Sequence, residues 1–441
     1  MAHTKRWGII GSGILGMTLA MRLRQKGYNV TLLESADAAG GLAGYREMGG
    51  IVWDRFYHVI LMSDLYTRKI IKEIGLEDDL KWAETKTGFY SGGKLYSLSN
   101  LIEFFKFPLI NLKEKFRLGL TILDASRRKD WRRLEKSLVS DWLLRRSGKR
   151  VFEKIWLPLL KSKLGNDLNI NITSAAFIWA TIQRMYAARR SGLKKEMFGY
   201  VTGGYNRIIS RLTEHMTEIG VEFRYNARVT SVSKSENGSV KVKLQDGHIE
   251  SFDKVISTIP SDLSVQIAED LHDWEKQLHL NIRYLGVICP IVILKKAISP
   301  YYITNILDEG YPFTGVIEIT NLINKKEVNA TNLVYLPKYV NPDNSLFDES
   351  DERIKEIFLA ALFEMHPHLS ENDIVFFGVS KARSVFALPT INYSKSLPDI
   401  RTSLENYFIV NSAQIVNGTL NVNETIQVAE NKLTEILNDD K

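Results

Sequence analysis

A short apolar run, Arg6–Ile10, leads directly into Gly11-Ser12-Gly13-Ile14-Leu15-Gly16, and few folds accommodate such a turn. Apolar residues then recur at Leu15, Leu19 and Leu23, the spacing of one helical face. Gly27 ends that helix, Asn29–Leu33 has the make-up of a second strand, and Glu34 closes it. Strand, glycine turn, helix, strand and terminal acid predict a dinucleotide site at the crossover. Gly11 permits the tight turn, and Gly13 lets the backbone N–H groups around Ser12, Ile14 and Leu15 approach a pyrophosphate. Gly16 lets helix pack on strand, and the helix N-terminus adds partial positive charge. The Glu34 carboxylate, with Ser35 beside it, can accept from both hydroxyls of an adenosine ribose and disfavours a 2′-phosphate.

Gly40-Gly41-Leu42-Ala43-Gly44 follows after a short spacer, and then Trp53-Asp54-Arg55-Phe56-Tyr57-His58. An acid, a spacer and a Gly-Gly pair resemble the flavoprotein group that includes protoporphyrinogen oxidase, the amine oxidases, the phytoene desaturases and UDP-galactopyranose mutase. The resemblance implies non-covalent FAD, with the Gly40-Gly41 cluster passing close to its diphosphate and ribityl. Many relatives carry Arg directly after Gly-Gly; here Leu42 stands in that place. By the same resemblance Val229 offers backbone groups to the adenine. Asn411-Ser412 stands where most relatives have Gly-Asp, and Thr419-Leu420-Asn421-Val422 brings a final helix start toward flavin and pyrophosphate. An Asp-x-Gly-x-His pattern in relatives sets its His near the flavin; this chain keeps Asp54 and His58 but has Phe56 for the Gly. The catalytic candidates are therefore His58, Tyr57, Asp54 and Arg55, with His58 giving or taking a proton near neutrality. The alternative is an Asp54–Arg55 structural pair beside a packed His58. Tyr301, Tyr302 and Tyr311 are further candidates for an aromatic wall.

The fold class expected is α/β: a Rossmann-like FAD-binding domain, parallel sheet plus β-meander, assembled from discontinuous segments, with an α+β substrate domain. Residues 1–85, 196–262 and 390–441 are assigned to the first, and 86–195 (mostly helical) with 263–389 (sheet plus helix) to the second. Helical spacing runs from Ser63 to Leu80 and from Leu101 to about Arg190, where Trp131, Leu134, Leu138 and Trp142 form one stripe. Phe89–Tyr96 reads as a hairpin about Gly92-Gly93, and 221–259 as a strand, a meander with turns at Asn237-Gly238 and Asp246-Gly247, and a strand.

At 441 residues the chain can bury a large core, and its 44% hydrophobic and 25% charged content is that of a globular protein. No apolar run reaches the roughly 18–20 residues that span a bilayer. Nothing but Met1–Lys5 precedes the first strand, so no signal peptide and a cytoplasmic location are expected. A single cysteine, Cys289, lies in an apolar run and reads as a core thiol; the eight scattered histidines show no ligand spacing, so no metal is expected.

Between Leu101 and Lys163 there are 17 Lys/Arg against 7 Asp/Glu, an excess larger than the +7 of the whole chain. This basic segment opens on the aromatic run Leu101–Ile110 and suits peripheral contact with the inner face of a membrane, or an acidic substrate, or plain solvation. No nucleic-acid module accompanies the charge. The function expected is hydride transfer from a CH–CH or CH–N unit of a small-molecule or lipid substrate to flavin N5. The alternative is a redox-neutral sugar-nucleotide mutase; a non-enzymatic flavin carrier is a third class. Oligomeric state stays open.

Overall fold

The computed structural model describes residues 5–187, 196–416 and 420–438. Its organising layer is a five-stranded, all-parallel sheet whose spatial order is Glu222–Arg224, Asn29–Leu33, Arg6–Ile10, Lys254–Ser257 and Tyr407–Ile409. Parallel strands covered on both faces need near-continuous apolar residues, and here Trp7, Ile9, Leu32, Val255, Ile256 and Ile409 are buried. Each such side chain removed from water contributes about 2 kcal/mol. The Ile14–Gln25 helix packs against the sheet with Leu15, Leu19 and Leu23 inward, as its spacing requires, and the final helix Val422–Asn438 lies against it. The meander Val229–Lys234, Val240–Leu244, Ile249–Phe252 follows the predicted turns and packs its own small core.

A larger, mixed sheet of eight strands lies beside this layer. Its long strand Tyr284–Leu294 is buried throughout and pairs antiparallel with Ile374–Ala387, Asn332–Tyr335 and Lys338–Val340. The Thr87–Ser91/Lys94–Ser97 hairpin joins the same sheet through the one parallel pairing, with Ile303–Ile306. Helices from Leu101 to Ala187 gather around Trp142, Trp156, Phe177 and Trp179.

Two expectations are corrected, and one element is added. The helix expected over Ser63–Leu80 ends at Glu73, because Leu80–Glu84 pairs as a strand with Met197–Val201. The Trp131–Trp142 stripe is not one helix: Leu138 is extended and bridges to Ser174, and the helix begins only at Val139. A hairpin, Tyr45–Met48 with Ile51–Asp54, escaped the periodicity reading altogether; its Gly49-Gly50 turn has φ of 55° and 82°.

Candidate functional site

The first strand ends at Ile10, and Gly11 turns the chain with φ 97°. A side chain at Gly16 would put Cβ 2.0 Å from the Gly11 carbonyl oxygen, so only glycine lets the helix start this close to the strand. Gly13 forms a bridge with Gly40, and the Gly40 N–H donates to the Ser12 carbonyl at 2.9 Å. The two glycine turns, 28 positions apart by the numbering of Gly13 and Gly41, thus meet; a Cβ on Gly41 would stand 3.1 Å from the Gly13 Cα. Among the described residues no side chain caps the Ile14–Gln25 helix, whose first-turn residues Ile14, Leu15 and Gly16 are buried. A buried, uncapped helix start retains N–H groups in need of an acceptor, which suits an anion.

Glu34 lies on the other side of this turn. Its Oε2 accepts from the Ser12 N–H and the Ser12 hydroxyl, both at 2.8 Å, and its Oε1 accepts from the Ala36 N–H at 2.9 Å. Ser35 is exposed next to it and donates to the same carboxylate. The Ala227 N–H donates to the Glu34 carbonyl, which brings the start of the meander, and with it half-buried Val229, to this corner.

Leu42, in the position of the expected phosphate contact, packs into the apolar cluster of Tyr57, Tyr335 and Tyr339. The cation nearby is Arg55. Its N–H donates to the Gly44 carbonyl at 2.9 Å, and a Cβ on Gly44 would lie 3.9 Å from its side chain. Its guanidinium is half-buried and has no hydrogen-bond or ion-pair partner among the described residues; Arg46, which donates to the Val379 carbonyl, is its charged neighbour. Burial first, and the Arg46 charge second, push the Arg55 pKa down. Two crowded guanidiniums beside a glycine turn are a second place prepared for an oxyanion.

Asp54 points elsewhere. It is buried, and its Oδ1 accepts the Tyr205 N–H at 2.8 Å at the start of the Gly204–Glu218 helix. It is therefore a helix cap that pairs with no Arg55, a correction to both readings of Asp54. Burial raises its pKa to about 8, against the lowering effect of the Tyr205 and Asn206 amides. Next in the chain, Phe56 is buried in the apolar cluster without needing a glycine backbone, and its carbonyl accepts from His58 Nδ1 at 2.8 Å. This bond leaves Nε2 of His58 as an acceptor. Burial lowers the His58 pKa to about 4, so the ring is neutral near pH 7 and is not the proton donor that its ordinary value suggested. Its ring lies 4.7 Å from that of Tyr205.

Tyr57 gains partners that the motif does not contain. Its hydroxyl lies 2.9 Å from that of Tyr339, on the large sheet, and accepts from Lys163 Nζ at 3.3 Å. Lys163 comes from the helical region and also stands 5.0 Å over the Tyr339 ring. Burial pushes the Tyr57 hydroxyl up to about 12, so it serves as a neutral donor. Tyr339, Lys163 and Tyr205 were missed because only long-range contacts bring them here, and Arg46 because its hairpin was not recognised. Of the aromatic wall candidates, Tyr302 joins the Tyr57 cluster, Tyr301 packs on Gly88, and Tyr311 bonds Tyr90 and Glu364 in another core.

At the C-terminal end, Asn411 is buried and fully used internally, which corrects its cofactor role: Nδ2 donates to the Ile259 carbonyl and the Ser261 hydroxyl, and Oδ1 accepts from the Ala413 N–H. Ser412 is half-buried in the turn that follows. Leu420 and Asn421 are half-buried, Asn421 accepts the Glu424 N–H, and Val422 begins the last helix. Val422, Ile14 and Tyr205 line one small apolar cavity, so three helix starts converge there. Thr419 lies outside the described residues. Cys289 is buried in the long strand, and its thiol pKa is raised by burial. No metal-holding cluster and no helix long and apolar enough to cross a membrane occur among the described residues.

Glycine turns without side chains, orphan N–H groups, the Glu34 carboxylate and an Arg55 guanidinium without an anionic partner among the described residues fit a flavin dinucleotide. Comparison with known proteins agrees. A model of the flavin containing amine oxidoreductase family matches residues 16–384. The 15-cis-phytoene desaturase of Solanum lycopersicum is 24% identical over 289 residues, 61% of this chain and 48% of the relative. The chain thus spans about half the length of the curated relatives it matches. A redesigned putrescine oxidase superposes with a TM-score of 0.75 at 17% identity, covering 99% of both chains. Reduced UDP-galactopyranose mutase gives 0.73 at 14%, covering 99% of this chain and 96% of that one. At such identities the likeness of the two structures concerns the fold alone. The family match, together with the turn geometry, makes this chain a member of the flavin-containing amine oxidoreductases.

Proposed function

We propose that this chain is an FAD-dependent oxidoreductase that withdraws a hydride from a CH–CH or CH–N unit of a predominantly apolar substrate. The observation that carries the reading is the meeting of Gly13 with Gly40 and Gly41 before an uncapped, buried helix start. FAD held there supplies the two-electron acceptor. The amides of Gly13, Ile14 and Leu15 hold the diphosphate, the Ser12 amide being taken by Glu34, and Arg55 adds the cation that Leu42 cannot supply. Glu34 holds the adenosine ribose and the start of the meander at Val229 borders the adenine. The helix start at Leu420, Asn421 and Val422 closes the other side.

Leu42, Val59, Phe376 and Val385 are half-buried against the same apolar cluster as Tyr57 and favour an apolar substrate. The Tyr57 and Tyr339 hydroxyls, with Lys163, bind a polar end of it and orient the bond to be broken. His58, held by the Phe56 carbonyl, offers Nε2 to receive the proton that accompanies hydride loss. The test is the absorption spectrum of the purified protein, then anaerobic bleaching against lipids, amines and sugar nucleotides. Yellow protein that releases FAD on heating, and is bleached by a lipid or amine, supports the reading. Colourless protein that FAD cannot reconstitute sinks it. Turnover of a sugar nucleotide only after dithionite reduction would replace it with the mutase reading.

A further inference from the structure

The Leu112–Arg127 helix is apolar on two opposite sides. Its core side carries Lys115, Leu118, Thr121 and Ala125, all buried. At 3.6 residues per turn, Leu112, Phe116 and Leu120 form a second stripe about half a turn away from these. They are 68%, 69% and 49% exposed. The short helix before it, Leu101–Lys106, presents Leu101, Ile102 and Phe105, again exposed. The buried Lys115 ammonium donates to the Phe105 carbonyl at 2.5 Å and fixes one helix against the other. Phe107 turns inward instead, edge-on to Phe89 and Tyr96, and Phe104 is half-buried, so the wedge seen in the sequence has only Phe105 as its outward ring.

We propose that these two helices are a docking face for an anionic lipid surface, with Phe105, Leu112, Phe116 and Leu120 entering the headgroup boundary. Exposed apolar residues in such number on neighbouring turns are unusual for a surface that water alone covers. The choice of a bilayer as occupant rests on charge. Lys106, Lys113 and Arg127 are exposed on these helices without a carboxylate partner among the described residues. Cations flanking an apolar stripe match the phosphates of an anionic leaflet. A second copy of the chain docked symmetrically would instead set these same cations against one another. The proposal is independent of the flavin reading, since none of these residues borders the glycine turns.

The test is flotation of the purified, flavin-bearing protein with phosphatidylcholine vesicles, with and without phosphatidylglycerol, at low and high salt. Binding to the anionic vesicles that salt weakens is expected, with a drop of at least about tenfold for the Phe116→Ser/Leu120→Ser variant. Because Cys289 is buried, Phe116→Cys provides a single site for an environment-sensitive dye. Its emission should shift to the blue with anionic vesicles, while the same dye at Glu236→Cys, on the meander, should not respond. Absence of flotation at low salt overturns the proposal. So does an unresponsive dye at Phe116→Cys, or a concentration-dependent dimer that Phe116→Ser abolishes. Flavin content, read on the same samples, separates this outcome from any failure of the cofactor reading.

Discussion

Oδ1 of the Asp54 carboxyl accepts the backbone N–H of Tyr205 at 2.8 Å, so the hairpin behind the second glycine turn holds the start of a fifteen-residue helix. The pairing is buried on all sides and far outlives any surface contact in energetic weight. Replacing Asp54 with Ala strands the buried Tyr205 amide, which costs about 1–3 kcal/mol. Urea denaturation measures it.

The same residue makes stability depend on pH in an unusual sense. Its folded-state pKa of about 8 lies above the ordinary carboxyl value of 3.8, so the folded protein keeps a proton that the unfolded chain releases. Its contribution is therefore largest at the acid end and is lost as pH rises through that interval. Asp54→Asn keeps the acceptor but removes the titration. The stability difference between variant and parent should shift in favour of the variant between about pH 5 and pH 8.

Gly13 and Gly16 should separate cofactor from fold. A Cβ on Gly13 meets nothing closer than the Gly41 Cα at 4.0 Å, and its φ of −67° suits any residue. Gly13→Val should fold normally, with a melting temperature close to that of the flavin-free parent, yet purify without flavin. Gly16→Ala drives its methyl group into the Gly11 carbonyl and should lose soluble protein instead.

Arg55→Met should improve the empty protein and harm the loaded one. Without cofactor the guanidinium is desolvated and crowded by Arg46, so its removal should be neutral or stabilising by up to about 1 kcal/mol. Flavin affinity should fall about tenfold or more, measured by fluorescence titration of the apo-protein. Unaltered affinity would take Arg55 out of the site.

His58→Asn should slow flavin reduction by substrate without removing any ionisation between about pH 6 and 8, because the imidazole already stays neutral there. A reduction rate whose inflection near pH 6.5 disappears in the variant would restore the charged-histidine reading.

What could be read beforehand follows the range of the interactions involved. The glycine turn, its helix and Glu34 are determined within a stretch of consecutive residues, and they appear as the periodicity implied. Leu80–Glu84 takes strand form only because Met197–Val201 reaches it from more than a hundred residues away. Leu138 breaks an otherwise regular helical stripe for the sake of Ser174. Asp54 and Asn411 look like ligand-facing polar residues in a motif, but each is buried against backbone groups that no local pattern reveals. The Tyr57–Tyr339–Lys163 group draws on three distant segments, and only Tyr57 belonged to a recognisable motif.

The parallel sheet draws its strands from residues 6–10, 29–33, 222–224, 254–257 and 407–409. During synthesis the strand Arg6–Ile10 emerges well ahead of the partner on its open side, Lys254–Ser257, which is about 245 residues behind it on the ribosome. At the usual rate of about 5–20 residues per second, an apolar edge waits unpaired for tens of seconds. The outermost strand, Tyr407–Ile409, follows its own partner Lys254–Ser257 about 150 residues later still. Nascent chains of this protein therefore carry a sticky, half-built sheet throughout that interval, a burden for chaperones that the finished surface does not betray.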